Sequence, residues 1–110
     1  VRGILSKLEL DDGSVIKSVG KKRKIIMYGD SITQGYDSAM SSRSYASRLS
    51  ELLDADIINK GIGGTVFIPE IAGVKRKSPP ALIVVAYGTN DWNGAEYEWF
   101  KRRCTSFLKI

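Results

Sequence analysis

Gly29-Asp30-Ser31-Ile32-Thr33-Gln34-Gly35 is the stretch on which the reading of this chain turns. It follows Ile25-Ile26-Met27-Tyr28, an apolar run with the length and β-branched content of a buried strand, and Gly29 marks where that strand stops. A serine just past the carboxyl end of a strand stands where open α/β sheets collect their ligands. The same seven residues also suit a polar turn in which Ser31 caps a helix. Taken alone they leave both readings open.

Outward from this stretch, strand and helix patterns alternate. Tyr36 to Arg43 is polar and rich in serine. A helix is expected from about Ser44 to Leu53, because Tyr45, Leu49, Leu52 and Leu53 share one helical face. Ile57-Ile58 form a second short strand, followed by the glycine-rich loop Asn59-Lys60-Gly61-Ile62-Gly63-Gly64-Thr65. Pro69 suits the first turn of a short helix, which Ser78-Pro79-Pro80 ends. Ala81 to Tyr87 is apolar throughout, the pattern of a central parallel strand covered on both faces, and Gly88-Thr89-Asn90-Asp91 follows it. Ala95 to Ile110 reads as a helix with Tyr97, Phe100, Cys104, Phe107 and Leu108 on one face. Right-handed crossovers turn this order into part of a doubly wound α/β sheet. The expected strand order is 2-1-3, with the Ile25–Tyr28 strand in the middle and all three strand-to-helix loops on one edge.

Residues 1–23 read differently. Val1 to Val19 suggest two short strands about the Asp11-Asp12-Gly13 turn signal, and Gly20 to Lys24 form a basic linker. The main domain is expected over 24–110. The net charge of +5 comes largely from Lys21-Lys22-Arg23-Lys24 and Lys75-Arg76-Lys77. No zinc-finger spacing or stacking motif accompanies these clusters, so solvated loop ends are favoured over nucleic-acid contact. No apolar stretch approaches the roughly 18 residues of a membrane span. A signal-peptide layout is not visible, which leaves the compartment open. Cys104 is the single cysteine; on the apolar side of a helix it reads as a buried structural thiol. The chain has no histidine, which removes histidine metal sites and the usual base for a serine nucleophile. Nothing points to a metal or cofactor.

Acyl transfer needs a nucleophile and donors aimed at the developing oxyanion. Ser31 offers a hydroxyl and a backbone N–H. The glycine loop offers backbone N–H groups that a ligand can approach closely, and the Asn90 side chain offers two amide hydrogens. Singly, the glycines read as turn formers and Asn90-Asp91 as a helix cap; after three consecutive strands they read as one site.

Here the chain resembles the SGNH, or GDSL-type, hydrolases. Gly29 to Gly35 is similar to their first block, Asn59 to Gly64 to the second, and Gly88-Thr89-Asn90-Asp91 to the third. The resemblance runs from about Lys24 to Asp91. It implies a flavodoxin-like three-layer sandwich, with Ser31 as nucleophile and Gly64 and Asn90 as oxyanion stabilisers. Gly64 is preferred to Gly61 and Gly63 by the family's N-x-x-x-x-G spacing from Asn59. It also implies an acyl ester as substrate. The segment before the basic linker looks like the end of a β-sandwich that precedes some carbohydrate acetyl-esterases, which favours an acylated sugar. No G-x-S-x-G elbow of the α/β-hydrolases is present.

The family's fourth block, Asp-x-x-His, is absent, and with it the base. The third strand would be left with an unpaired edge. These departures lead us to expect part of a longer hydrolase, completed by further residues or by another chain, and near-inactive alone. A binding module that keeps the pocket without catalysis is the competing expectation; a phosphate or flavin binder lacks its fingerprint. Tyr36, Phe67 and Trp92 are candidates either to line a pocket or to pack against further structure.

Overall fold

The computed structural model describes residues 6–74, 78–92 and 96–109. Three strands, β1 (Arg23–Gly29), β2 (Ala55–Gly61) and β3 (Leu82–Ala86), form one parallel sheet in the order β2-β1-β3. Between them lie α1 (Ser31–Gln34), a 3₁₀ turn (Ser41–Arg43), α2 (Tyr45–Leu52) and α3 (Pro69–Ala72); α4 (Thr89–Trp92) and α5 (Tyr97–Leu108) follow β3. The expected α/β architecture and strand order are both present. The register aligns Gly29 with Gly61 on one side and with Ala86 on the other. All three strands therefore end at one level, and their loops open on one edge.

The alternation of β1 sorts the core into two layers. Ile25 and Met27 pack with Ala46 and Ala55 beneath Tyr45 and Leu49 of α2. Ile26 and Tyr28 pack on the opposite face with Phe67 and Phe107, flanked by Phe100 and Cys104 of α5 and Ile71 and Ala72 of α3. Five rings interlock there, with Phe67 centred 5.1–5.6 Å from Tyr87, Phe100 and Phe107, and Tyr28 centred 5.5 Å from Phe107. Ile25 to Tyr28 are all buried, as a central strand covered on both faces must be.

Several expectations are corrected. Residues 6–20 form no strand; only the turn is present, with Ser14 N–H donating to Asp11 O at 3.0 Å. Leu8, Leu10, Val15, Ile16 and Val19 are exposed, and two short strands with nothing to pack on are not stable. Residues 1–5 lie outside the described residues. Strands β1 and β2 are longer than their apolar runs, and β3 is shorter than its own: β1 begins within the basic segment, β2 extends through Asn59-Lys60-Gly61, and β3 omits Ala81 and Tyr87. Strand β3, though apolar throughout like an interior strand, pairs only with β1 among the described residues, the edge position expected from the order 2-1-3. On α2, Leu52 and Leu53 are exposed while Tyr45 and Leu49 pack. On α5, Tyr97 and Leu108 are exposed, and Phe100, Cys104 and Phe107 make the buried contacts. Cys104 is half-buried.

The first basic cluster has a local role. Lys21 Nζ donates to Ser50 O at 2.7 Å, and the Arg23 guanidinium donates to Leu53 O. Both carbonyls belong to the C-terminal end of α2, where cations satisfy orphan acceptors and complement the helix dipole. Lys75, Arg76 and Lys77 lie outside the described residues. No described helix is long and apolar enough to cross a membrane.

Candidate active site

Every residue of the opening stretch has a structural task. Gly29 ends β1 where a Cβ would stand 2.0 Å from Thr33 Oγ1 and 2.8 Å from Ala86 O, so only glycine fits. Asp30 caps α1, its Oδ1 accepting the Ile32 N–H at 2.9 Å. Ser31 is the first residue of α1 and is half-buried. Thr33 is fully buried and shares a hydrogen bond of 2.8 Å with the Tyr45 hydroxyl. Gly35 closes the helix in the left-handed region, φ 108°, where glycine avoids the Cβ clash. Thus the turn reading and the site reading of this stretch are compatible: the cap is Asp30, which leaves the Ser31 side chain uncommitted. Its hydroxyl makes no hydrogen bond to the described residues.

The glycine loop docks onto α1. Asn59 Nδ2 donates to Thr33 O at 2.6 Å, while Asn59 Oδ1 accepts the Gly61 N–H at 2.8 Å. A Cβ on Gly61 would meet the Gln34 backbone nitrogen at 2.3 Å, so β2 approaches α1 backbone to backbone. Ile62 N–H then donates to Gly29 O at 3.0 Å, and Thr65 N–H closes a turn onto Ile62 O at 3.3 Å. Gly64 is the third residue of this turn with φ +74°, the value a type II turn requires there. Gln34 Oε1 accepts the Gly63 N–H at 2.7 Å. A Cβ on Gly63 would lie 3.8 Å from the Ser31 Cβ, which places this turn against the Ser31 side chain. Among the loop's glycines, only Gly64 has an N–H without an acceptor among the described residues.

The third loop, in which Asn90-Asp91 read singly as a helix cap, winds into the single helical turn α4. Asn90 Nδ2 donates to Thr65 O at 2.9 Å, holding the end of the glycine turn. One amide hydrogen of Asn90 remains after that contact. Asp91 is buried, and its Oδ1 accepts the Phe67 N–H at 3.4 Å. Ser31, Gly64 and Asn90 are therefore carried by three loops, of which the glycine loop hydrogen-bonds to both of the others. The contacts of Gln34, Asn59 and Asp91 are what sequence reasoning missed. Gln34 sits three positions after Ser31, the spacing of neighbours on a helix.

Asp30, Asp91 and Tyr87 form a buried polar group behind these loops. Asp30 Oδ2, Asp91 Oδ2 and the Tyr87 hydroxyl are buried without hydrogen-bond partners. Burial pushes the Tyr87 phenol above its usual range, and the Asp30 and Asp91 carboxylates reinforce the shift. The Thr65 hydroxyl, which also donates to Ile62 O at 2.6 Å, pulls the other way without cancelling the effect of burial. Phe67 is a core residue, whereas Tyr36 and Trp92 are exposed. A cavity of about 410 Å³ lies on the α3 side of the sheet, lined by Ile26, Tyr28, Ile58 and Ile71 with Lys24 and Lys60. It includes none of Ser31, Gly64 and Asn90. No group of side chains able to hold a metal ion occurs among the described residues.

The model of the GDSL-like lipase/acylhydrolase family matches residues 27–106, which carry all three loops. The chain belongs to this family. Among solved structures, it is similar to AlinE4, an SGNH-hydrolase family esterase, with a TM-score of 0.71 and 26% identity over 84% of this chain and 54% of that one. It is also similar to a member of the lipolytic G-D-S-L family from Veillonella parvula, with a TM-score of 0.65 and 25% identity over 79% of this chain and 51% of that one. None of the curated proteins matches. The chain thus spans about half the length of these GDSL-family structures.

Proposed function

We propose that this chain carries the nucleophile and oxyanion hole of an ester hydrolase. Ser31 Oγ attacks the carbonyl carbon of an acyl ester while its proton passes to a base. The oxygen that becomes negative is met by the Gly64 N–H, the remaining amide hydrogen of Asn90 and the Ser31 N–H. Collapse of the tetrahedral species expels the alcohol, which takes up a proton, and leaves an acyl-serine that water then cleaves. What supports this reading is the pattern of paired and unpaired donors around Ser31. The Gly61 and Gly63 N–H groups are taken up inside the protein, and that of Gly64 is not.

The base is not a histidine of these 110 residues, because there is none. We propose that it comes from further residues of a longer protein or from another chain. The N-terminal segment that favoured an acylated sugar forms no strand over residues 6–20, so the proposal is confined to acyl esters. A fluorophosphonate probe applied to the full-length protein carrying this chain tests the reading. Labelling is expected at Ser31 and is abolished in Ser31→Ala. An unlabelled Ser31 in folded protein would favour a non-catalytic binding module.

A further inference from the structure

The loop that faces Ser31 contains three glycine N–H groups, and the protein treats each one differently. The Gly61 N–H is held by Asn59 within its own strand, at 2.8 Å. The Gly63 N–H is held by Gln34 Oε1 at 2.7 Å, across 29 positions of sequence. The Gly64 N–H is held by nothing among the described residues. Gln34 therefore determines which of two adjacent N–H groups stays available. It does so from α1, the four-residue helix that begins with Ser31. The nucleophile and the grip on the turn are thus parts of one rigid unit, and Asn90 holds the far end of the turn at Thr65 O.

We infer that Gln34 is a positioning residue: by accepting the Gly63 N–H it locks the Ile62–Thr65 turn so that the Gly64 N–H faces the oxyanion formed at Ser31. The inference rests on the roles proposed above for Ser31 and Gly64. It also accounts for Gly63, where a Cβ would stand 3.0 Å from Gln34 Oε1 and press on that acceptor. Gln34 is exposed, so its removal leaves no buried void and should spare the fold.

The test uses the full-length protein with an acyl ester substrate. Gln34→Met keeps the side-chain length and removes the acceptor. Its kcat is expected to fall about tenfold, the effect of a hydrogen bond near the upper end of the ordinary range. KM and the melting temperature should stay close to wild type, because the donor acts on the transition state. Gly63→Ala should produce the same kcat-selective loss from the other side of the contact. The double variant should be no worse than the poorer single one, since both break one contact. An unchanged kcat in Gln34→Met, a loss confined to KM, or additive losses in the double variant would overturn the inference while leaving Ser31 as nucleophile. Failure of the wild-type protein to label at Ser31 would overturn the site reading itself, and the role of Gln34 with it.

Discussion

Asn90 carries two amide hydrogens, and Thr65 O takes one of them. Asn90→Ala therefore removes both the proposed oxyanion donor and an anchor of the glycine turn. A loss of about 10²–10³ in kcat is expected, the usual effect of deleting one such donor; steady-state kinetics on the full-length protein check it, with KM as the control. Gly64 behaves differently. Its φ of +74° penalises a side chain, yet a Cβ there meets nothing within 4 Å. Gly64→Ala should cost about 1–2 kcal/mol of stability from backbone strain while retaining its N–H. Tyr87 sets a pH limit. Because folding raises its pKa, the folded state holds the phenolic proton more tightly than the unfolded state. The stability tied to that proton is complete below the unfolded value near 10 and is lost as pH rises through the folded value. Tyr87→Phe should flatten the alkaline limb of a melting-temperature profile; an unchanged limb would refute this. The places of Ser31 and Asn90, each just past the end of an apolar run, were legible; Gly64 was separated from Gly61 and Gly63 only by the family spacing from Asn59. Gln34 was not legible, because its partner lies 29 positions away and they meet only through the Gly29–Gly61 register.

At the scale of elements, the three loops are locked by backbone approach. A Cβ on Gly61 would fall 2.3 Å from the Gln34 nitrogen, and one on Gly29 would fall 2.0 Å from Thr33 Oγ1. Neither obstacle is the far end of a flexible side chain. Gly61→Ala should therefore destabilise the fold by about 1–3 kcal/mol or more through overpacking. It should also lower activity by lifting β2 away from α1, in contrast to Gln34→Met. Thermal denaturation of the two variants separates them. The helix faces were only partly legible. Periodicity assigned Leu52 and Leu53 to the buried face of α2, yet Arg23, the first residue of β1, and Lys21, just before it, cap this end of the helix. The last turn of α2 is thus held through its carbonyls, while Leu52 and Leu53 stay exposed. Periodicity shows which face of a helix is apolar; the length of its neighbours decides how much of that face is covered.

At the scale of the molecule, β3 has the composition of an interior strand and the position of an edge. Leu82-Ile83-Val84-Val85-Ala86 carries no polar residue, and it pairs only with β1 among the described residues. Leu82 is 51% exposed and Ile83 45%. An apolar edge strand with free N–H and C=O groups is a template for pairing with another chain, and edges of this kind are normally blunted by charge. The 110-residue polypeptide expressed by itself should therefore associate as its concentration rises. Its net charge of +5 opposes this association through self-repulsion. Salt screens that repulsion, so raising ionic strength from low to about 0.15 M should strengthen association. Leu82→Lys, which places a charge on the exposed edge, should weaken it under the same conditions. Sedimentation velocity across a concentration series reads both effects. A monomer at every concentration and salt would show that the β3 edge is already protected. Association of equal strength in Leu82→Lys would move the contact to another surface.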